Sequence, residues 1–234
     1  MGNRRPWVMR MRWVDLLFAH WPLDPEVLRP HVPVDLAIDT FDGRAWLGIV
    51  PFGMEDVAPR GIPRAPVLSA FPEVNVRTYV RHGDLAGVWF LSLDAASRLT
   101  VEGARAAFHL PYYRAAMSIE REGDTVRYRS RRTDHRGATA ELDVQYRPIG
   151  AVELGAPGSL EAWLTDRWRL FAIDAVGRVE RTEIRHARWP LQPAEATFYT
   201  ESLAAACGLR VPATAPHLRY AGRVDVRGWW PRRV

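Results

Sequence analysis

The chain contains no lysine, and all 32 of its lysine-or-arginine positions are arginines. A guanidinium stays protonated at physiological pH and cannot act as an amine nucleophile. No side chain can therefore form a Schiff base with a carbonyl substrate, which leaves only the α-amino group at Met1. A GC-rich coding sequence favours arginine over lysine and would explain the absence of lysine, as would a specific replacement of lysines. Either origin excludes the same mechanism.

Cysteine is almost absent as well, since Cys207 is the single one. One cysteine cannot form an internal disulfide framework. Its neighbours are the alanines 204–206 and Leu209, which favours a buried structural thiol over a catalytic one.

Long apolar runs and common ligand-binding motifs are also missing. No run approaches the roughly 18 apolar residues of a membrane span, and the first residues lack the apolar stretch of a signal peptide. The chain has no HxH or HExxH spacing, no glycine-rich phosphate loop and no serine-centred elbow. We therefore expect a soluble cytoplasmic protein with no membrane partner, no metal and no cofactor.

The charge balance invites a nucleic-acid function, because the net charge is +5 and the pI is about 9.8. Most arginines nevertheless alternate with acidic residues. The densest cluster is Arg127, Arg129, Arg131 and Arg132, and its first three members have the period of two that places side chains on one face of a strand. We interpret it as a solvated outer face and predict no nucleic-acid partner.

Strand-like patterns rich in Val, Ile, Tyr, Trp and Thr recur along the chain. They cover residues 45–52, 73–81, 87–94, 112–121, 124–131, 138–147, 177–188 and 218–228. Helical patterns are fewer and cover residues 24–29, 96–108, 159–169 and 193–206. Gly83 and Gly123, each followed by Asp, predict tight turns, and the proline-rich stretches 51–72 and 148–157 predict loops. The pattern predicts one α+β domain over 1–234, a mostly antiparallel β-barrel or cone with a few short helices.

Four blocks of sequence carry a family resemblance. They are Leu23–Arg29 with Val32 and Pro33, Phe71–Val80, Gly87–Ala95 continuing to Tyr113, and Asp166–Phe171 with His186–Leu191. Together they resemble the acetoacetate decarboxylase-like superfamily and, within it, the uncharacterised YqjF-like branch. The resemblance runs from about residue 12 to the end of the chain and implies the fold of that superfamily.

The resemblance also locates the missing lysines. In the decarboxylases an arginine is followed six residues on by Pro-Lys-Lys, which carries the nucleophile and the lysine that lowers its pKa. Here Arg105 is followed by Pro111, Tyr112 and Tyr113, so both lysines are replaced by tyrosines. The family's Schiff-base decarboxylase activity therefore should not be transferred to this chain. The resemblance further implies that Glu73 occupies the place of a pocket glutamate.

The strand 73–80 carries the candidate site. Alternation places Glu73, Asn75, Arg77 and Tyr79 on one face. Lining a barrel interior, they would supply the groups that bind a small polar molecule or move a proton. The alternatives are a solvent-exposed face or a structural Glu73–Arg77 pair.

Tyr112 and Tyr113 would point to opposite sides of an extended chain. The resemblance to the decarboxylases favours Tyr112 as the one that faces the cavity. We predict Glu73 and Tyr112 as catalytic residues. The remaining polar residues of the strand are predicted to bind substrate, together with Arg105 and His20, although His20 and His186 can equally be structural. The resemblance implies that Arg12 corresponds to an N-terminal pocket arginine of the family and also binds substrate.

Two functions remain open at this point. One is a small-molecule-binding protein, acting as a lyase or hydratase on a small oxo-acid without a Schiff base. The other is a non-catalytic binding or structural protein of the same fold. A small-molecule ligand is the expected partner, and a homo-oligomer is compatible with the sequence.

Overall fold

The structure is a computed structural model that describes residues 6–62 and 70–234. These residues form fourteen strands, four short α-helices and a 3₁₀ turn at Arg29–His31. The strands are β1 Met9–Leu23, β2 Ala37–Ile38, β3 Ala45–Pro59, β4 Phe71–His82, β5 Leu85–Ala95, β6 Tyr112–Glu122, β7 Thr125–Arg132, β8 Glu141–Pro148, β9 Glu153–Leu154, β10 Arg169–Ile173, β11 Val179–Arg185, β12 Pro190–Glu201, β13 His217–Gly228 and β14 Arg232–Arg233. The helices are α1 Pro25–Leu28, α2 Arg98–Phe108, α3 Leu160–Thr165 and α4 Leu203–Ala206.

The strands form one continuous sheet that closes into two rings. Strands β13, β1, β3, β4 and β5 are common to both rings. The larger ring closes through β6, β7, β8 and β12, and the smaller ring closes through β10 and β11. Both rings can close because one edge of β5 pairs with β6 and with β10 at different points along its length. In the same way, one edge of β13 pairs with β12 and with β11. The predicted mostly antiparallel α+β barrel is confirmed, in the form of an uneven double ring.

The shared strands have a protein interior on each face, and β4 illustrates the consequence. Val74 and Val76 pack into the apolar core that fills the larger ring, whereas Glu73 and Asn75 face the smaller ring. All four residues are buried. Because β4 is buried on both faces, the alternation of polar and apolar side chains along it does not indicate that the polar face is exposed to solvent.

Local signals at the ends of elements act as the sequence indicates. The Asp24 side chain accepts a hydrogen bond from the Glu26 amide, and Pro25 opens α1. Gly83 and Gly123 adopt positive φ angles of 56° and 59° in the β4–β5 and β6–β7 hairpins. A side chain at either position would strain the turn.

Several predicted elements are wrong. The helix predicted for 193–206 is mostly β12, which pairs with β8, and only its last residues form α4. The helix predicted for 159–169 ends at Thr165. The proline-rich stretch 51–72 is not simply a loop, because β3 continues to Pro59 and residues 63–69 lie outside the described part. Strands β1 and β10 were not predicted at all.

The three period-two arginines of the cluster on β7 lie on the outer face, as predicted, whereas Arg132 is buried. Arg127 contacts Asp143 and Arg129 contacts Glu120, so carboxylates on neighbouring strands compensate part of the cluster's charge. No helix in the described part of the chain is long and apolar enough to cross a membrane.

Candidate active site

The smaller ring encloses a cavity of about 600 Å³. Strands β1, β3, β4, β5, β10 and β11 supply most of its wall, and α2 covers one end. A pocket of this size is within the range that holds small molecules. The cavity therefore provides a common setting in which to place each predicted site residue.

Glu73 and Tyr112 form a buried pair in the cavity wall. The Tyr112 hydroxyl donates a hydrogen bond of 2.9 Å to Glu73 Oε2. Burial raises the pKa of Glu73 from 4.5 to about 8, and the hydrogen bond from Tyr112 offsets part of that rise. Burial and the neighbouring Glu73 both raise the pKa of Tyr112 well above its usual value. At neutral pH the pair is therefore mostly protonated and uncharged.

Asn75 and Arg77 continue the same face of β4 into the cavity. Asn75 Oδ1 and Arg77 Nε are buried without a hydrogen-bond partner. The Arg77 guanidinium lies 5.4 Å from the ring centroid of Phe18. No carboxylate of residues 6–62 and 70–234 is within ion-pair distance of it. Arg77 thus contributes a positive charge to the cavity without a counter-charge.

Tyr79 and His20 lie beyond Arg77 and outside the cavity lining. Both are fully buried, and His20 Nε2 is 2.7 Å from the Tyr79 hydroxyl. Burial lowers the pKa of His20 well below its usual value, and the charge of Arg77 lowers it further. Tyr79 and the neutral imidazole of His20 therefore lie next to Arg77 on the side away from the cavity, and neither side chain faces the cavity.

The structure does not bring Arg12 into the cavity. Its guanidinium bridges Asp56 at 2.8 Å and Asp225 at 3.0 Å. Arg105 is also outside the lining, but it donates a hydrogen bond of 2.9 Å to the carbonyl oxygen of Tyr112. Arg105 can therefore hold the backbone that positions Tyr112, while Tyr113 points away from the cavity as expected.

Cys207 also lies outside this cavity, where its partly buried thiol donates to Ser92 Oγ at 3.5 Å. Burial raises the pKa of the thiol. Since the thiolate is the reactive form, this environment fits a structural role.

Arg169, for which no site role is predicted, and His186, for which a site role and a structural role are both open, also line the cavity. The His186 ring lies 4.9 Å from that of Trp189 and 6.4 Å from that of Trp13. Its pKa is lowered by burial and, more weakly, by the charge of Arg77. These residues come from the smaller ring's closing strands and the loop after them. No local pattern marks their position, because it depends on the pairing of β10 with β5.

Most of the remaining cavity wall is apolar, and Arg167, which also lines it, is held in an ion pair with Asp39. Methionines and aromatic rings from β1 and β3 line the cavity, together with one face of α2. Among the described residues, no group of three or more His, Cys, Asp or Glu side chains is placed to hold a metal ion. The arrangement offers one near-neutral carboxyl group, two arginines without a carboxylate partner among the described residues, Arg77 and Arg169, and a large apolar surface.

Solved structures of the acetoacetate decarboxylase fold match nearly all of the chain. The acetoacetate decarboxylase of Legionella pneumophila has a TM-score of 0.65 at 14% identity, over 100% of this chain and 91% of that one. The enduracididine biosynthesis enzyme MppR complexed with pyruvate has a TM-score of 0.66 at 11% identity, over 98% of this chain and 91% of that one. At these identities the likeness shows the fold alone, and it confirms the fold that the resemblance implied.

Similarity in sequence is much stronger to a protein of unknown function. The uncharacterized protein YqjF of Bacillus subtilis (strain 168) is 42% identical over 227 residues, which are 97% of this chain and 92% of that protein. The family model of DUF2071, an uncharacterized conserved protein, matches residues 10–225. This match includes β4 and Tyr112. The chain therefore belongs to the DUF2071 family, with an acetoacetate decarboxylase-like fold.

Proposed function

We propose that the protein binds a small oxo-acid in the cavity and moves a proton on it without a Schiff base, as a lyase or hydratase does. The observation that carries the proposal is the meeting of the Glu73–Tyr112 pair and the unpaired Arg77 in one cavity. The first is a proton donor and acceptor, and the second is an anion-binding group.

Arg77 is suited to hold the carboxylate of the ligand. Its guanidinium has no carboxylate partner among the described residues, and an arginine pairs with a carboxylate through two parallel hydrogen bonds. The nearest acid on the same face, Glu73, is mostly protonated at neutral pH because its pKa is about 8. It therefore competes little for the guanidinium.

Glu73 is suited to transfer the proton. A general acid or base works best with a pKa near the working pH, and burial moves the pKa of Glu73 to that range. In its protonated form, Glu73 donates the proton to the carbonyl oxygen of the substrate, or to the α-carbon of the substrate's enolate, whose C=C electron pair forms the new C–H bond. The hydrogen bond from Tyr112 then stabilises the carboxylate that remains. In the reverse direction, the carboxylate removes a proton from carbon or from water.

Proteins that share the fold support the choice of ligand class only indirectly. MppR has been solved with pyruvate and with the condensation product of pyruvate and imidazole 4-carboxaldehyde. The fold therefore accommodates an oxo-acid in that protein. Here the missing lysine requires different chemistry, so the likeness concerns the ligand and not the mechanism.

The second candidate is a binding protein without catalysis. It is favoured by the apolar wall, which contributes to affinity and offers no further reacting group. Both candidates predict ligand binding, and only the first predicts turnover that depends on Glu73.

The test combines calorimetry with turnover assays on a panel of 2-oxo acids. Arg77→Gln should weaken binding by about 10- to 100-fold, since a hydrogen bond to a charged group contributes about 1.5–3 kcal/mol. Arg81→Gln, which changes a more exposed arginine of the same strand, is the matched control. Glu73→Gln should retain binding and lose turnover. Equal turnover by wild type and Glu73→Gln would contradict the catalytic proposal, and ligand binding without any turnover by the wild type would favour the second candidate.

A further inference from the structure

The charged groups of the cavity lie towards its deep end, and the two hydroxyl side chains at the start of α2 bond to each other. The strand register pairs Glu73 with Phe52, and pairs Phe71, two residues nearer the start of β4, with Met54. From Phe52, β3 continues to Pro59, roughly 20 Å farther at ~3.3 Å per residue. The side chains that β1 and β3 place along this stretch are apolar, namely Met9, Met11, Trp13, Met54 and Val57.

The opening of the cavity is also apolar. Leu99 on α2 is 82% exposed and Trp230 is 54% exposed, and both line the cavity. Phe108 stacks on Trp230 with ring centroids 5.5 Å apart. Exposed large apolar residues are informative where they form a contiguous patch beside a pocket. A ligand that ended at Glu73 would leave this surface in contact with water.

The size of the cavity points in the same direction. About 600 Å³ is the space of a drug-sized ligand, whereas an oxo-acid of three or four carbons would occupy only the polar end. An apolar group attached to the acid would cover the remaining wall.

We infer that the ligand is an amphipathic 2-oxo acid, whose carboxylate binds Arg77 and whose apolar tail runs past Met54 towards Leu99 and Trp230. This inference rests on the proposed function and adds the substrate class. The tail can be an alkyl chain or an aryl group, because flexible methionine side chains fit irregular apolar shapes.

The experiment measures binding of 2-oxobutyrate, 2-oxohexanoate and 2-oxooctanoate by calorimetry, with octanamide as the uncharged probe. Burial of one methylene contributes about 0.8 kcal/mol, or about fourfold in affinity. The eight-carbon acid should therefore bind on the order of 200-fold more tightly than the four-carbon acid. Octanamide should bind more weakly than the eight-carbon acid, and Arg77→Gln should abolish that difference.

A pair of variants on α2 locates the tail. Ala107 lines the cavity, whereas the neighbouring Ala106 is exposed and does not. Ala107→Trp should remove most of the gain with chain length and leave 2-oxobutyrate binding within about threefold, since a filled cavity has no room for the tail. Ala106→Trp should bind like wild type. Ala104→Phe, at a second lining position, serves if Ala107→Trp fails to fold.

The outcomes separate the two claims. Equal affinity for all chain lengths, with binding that depends on Arg77, would overturn the amphipathic ligand and retain the oxo-acid proposal. Absence of binding by every acid would overturn both. A gain with chain length that Ala107→Trp leaves intact would place the tail elsewhere and overturn the inference.

Discussion

The protonation of Glu73 has a consequence for stability that requires no ligand. Its pKa is about 8 in the folded protein and 4.5 as an ordinary glutamate. Between these values the unfolded chain releases the proton while the folded chain keeps it. The free energy of unfolding therefore falls as pH rises, by about 1.4 kcal/mol per pH unit. The side chain is only 3% exposed, so solvent screening does not reduce this effect much.

Glu73→Gln removes the titration and keeps the contact, because the glutamine amide oxygen can still accept the hydrogen bond from Tyr112. Integrated from pH 5 to pH 9, the wild-type loss is about 4 kcal/mol. Glu73→Gln should therefore gain about 4 kcal/mol on wild type over that range, with about two thirds of the gain below pH 7. All other titrating groups are common to both proteins and cancel in the comparison.

The assay is equilibrium unfolding in urea at pH 5, 7 and 9 for both proteins. Glu153→Gln is the control, since Glu153 is exposed on β9. The difference in free energy of unfolding between this variant and wild type should change little with pH. If the difference between Glu73→Gln and wild type stays within 1 kcal/mol across the range, Glu73 is not protonated in the folded protein at neutral pH. The acid–base role assigned to it would then have no basis.

Three further predictions concern the scaffold. Asp94→Asn and Arg132→Met each break a buried ion pair of 2.7 Å, and each should lower the free energy of unfolding by about 3–5 kcal/mol; the double variant should lose less than the sum, and simple additivity would refute the pairing. Gly87→Ala places a carbon 2.7 Å from an aromatic ring of β10 and should lower the free energy of unfolding by about 1–3 kcal/mol. Gly103→Ala places its carbon in open space on α2 and should raise that free energy by about 0.5–1 kcal/mol. Thermal unfolding of the two variants distinguishes these effects. Tyr79→Phe removes the partner of a buried imidazole and should lower stability by about 1–3 kcal/mol in urea, so an unchanged midpoint would contradict the bond.

Much of the candidate site could be predicted because it depends on the local period of one strand. The alternation in 73–80 separates Glu73, Asn75 and Arg77 from the valines between them, and the structure puts these three in one cavity. Tyr112 joins them on the basis of the family resemblance. His186 could not be predicted in the same way, because only the closure of the smaller ring brings it near Arg77.

The errors in the fold have a common physical origin. Strand β1 contains the continuous apolar run 16–19, since its two faces pack into two different interiors and no alternation remains. Strand β12 contains alanine and glutamate, which favour helix. Its pairing with β8, from Ala194 to Glu201, nevertheless determines its conformation. Tertiary pairing outweighs local propensity in both cases.

The smaller ring is closed by two very short ladders. Leu170 and Phe171 pair with Val88 and Trp89, and Ile184–Arg185 pairs with β13 over two residues, whereas β1 and β13 pair nearly end to end. Apart from the contacts of β11 with the C-terminal residues, few backbone hydrogen bonds must break for β10 and β11 to separate from their neighbours, so we expect this hairpin to open locally before the other strands. Its amides should exchange with solvent well before those of β1, and a ligand that bridges the cavity would slow that exchange. We therefore expect the ring that encloses the candidate site to open while the core of the larger ring stays folded.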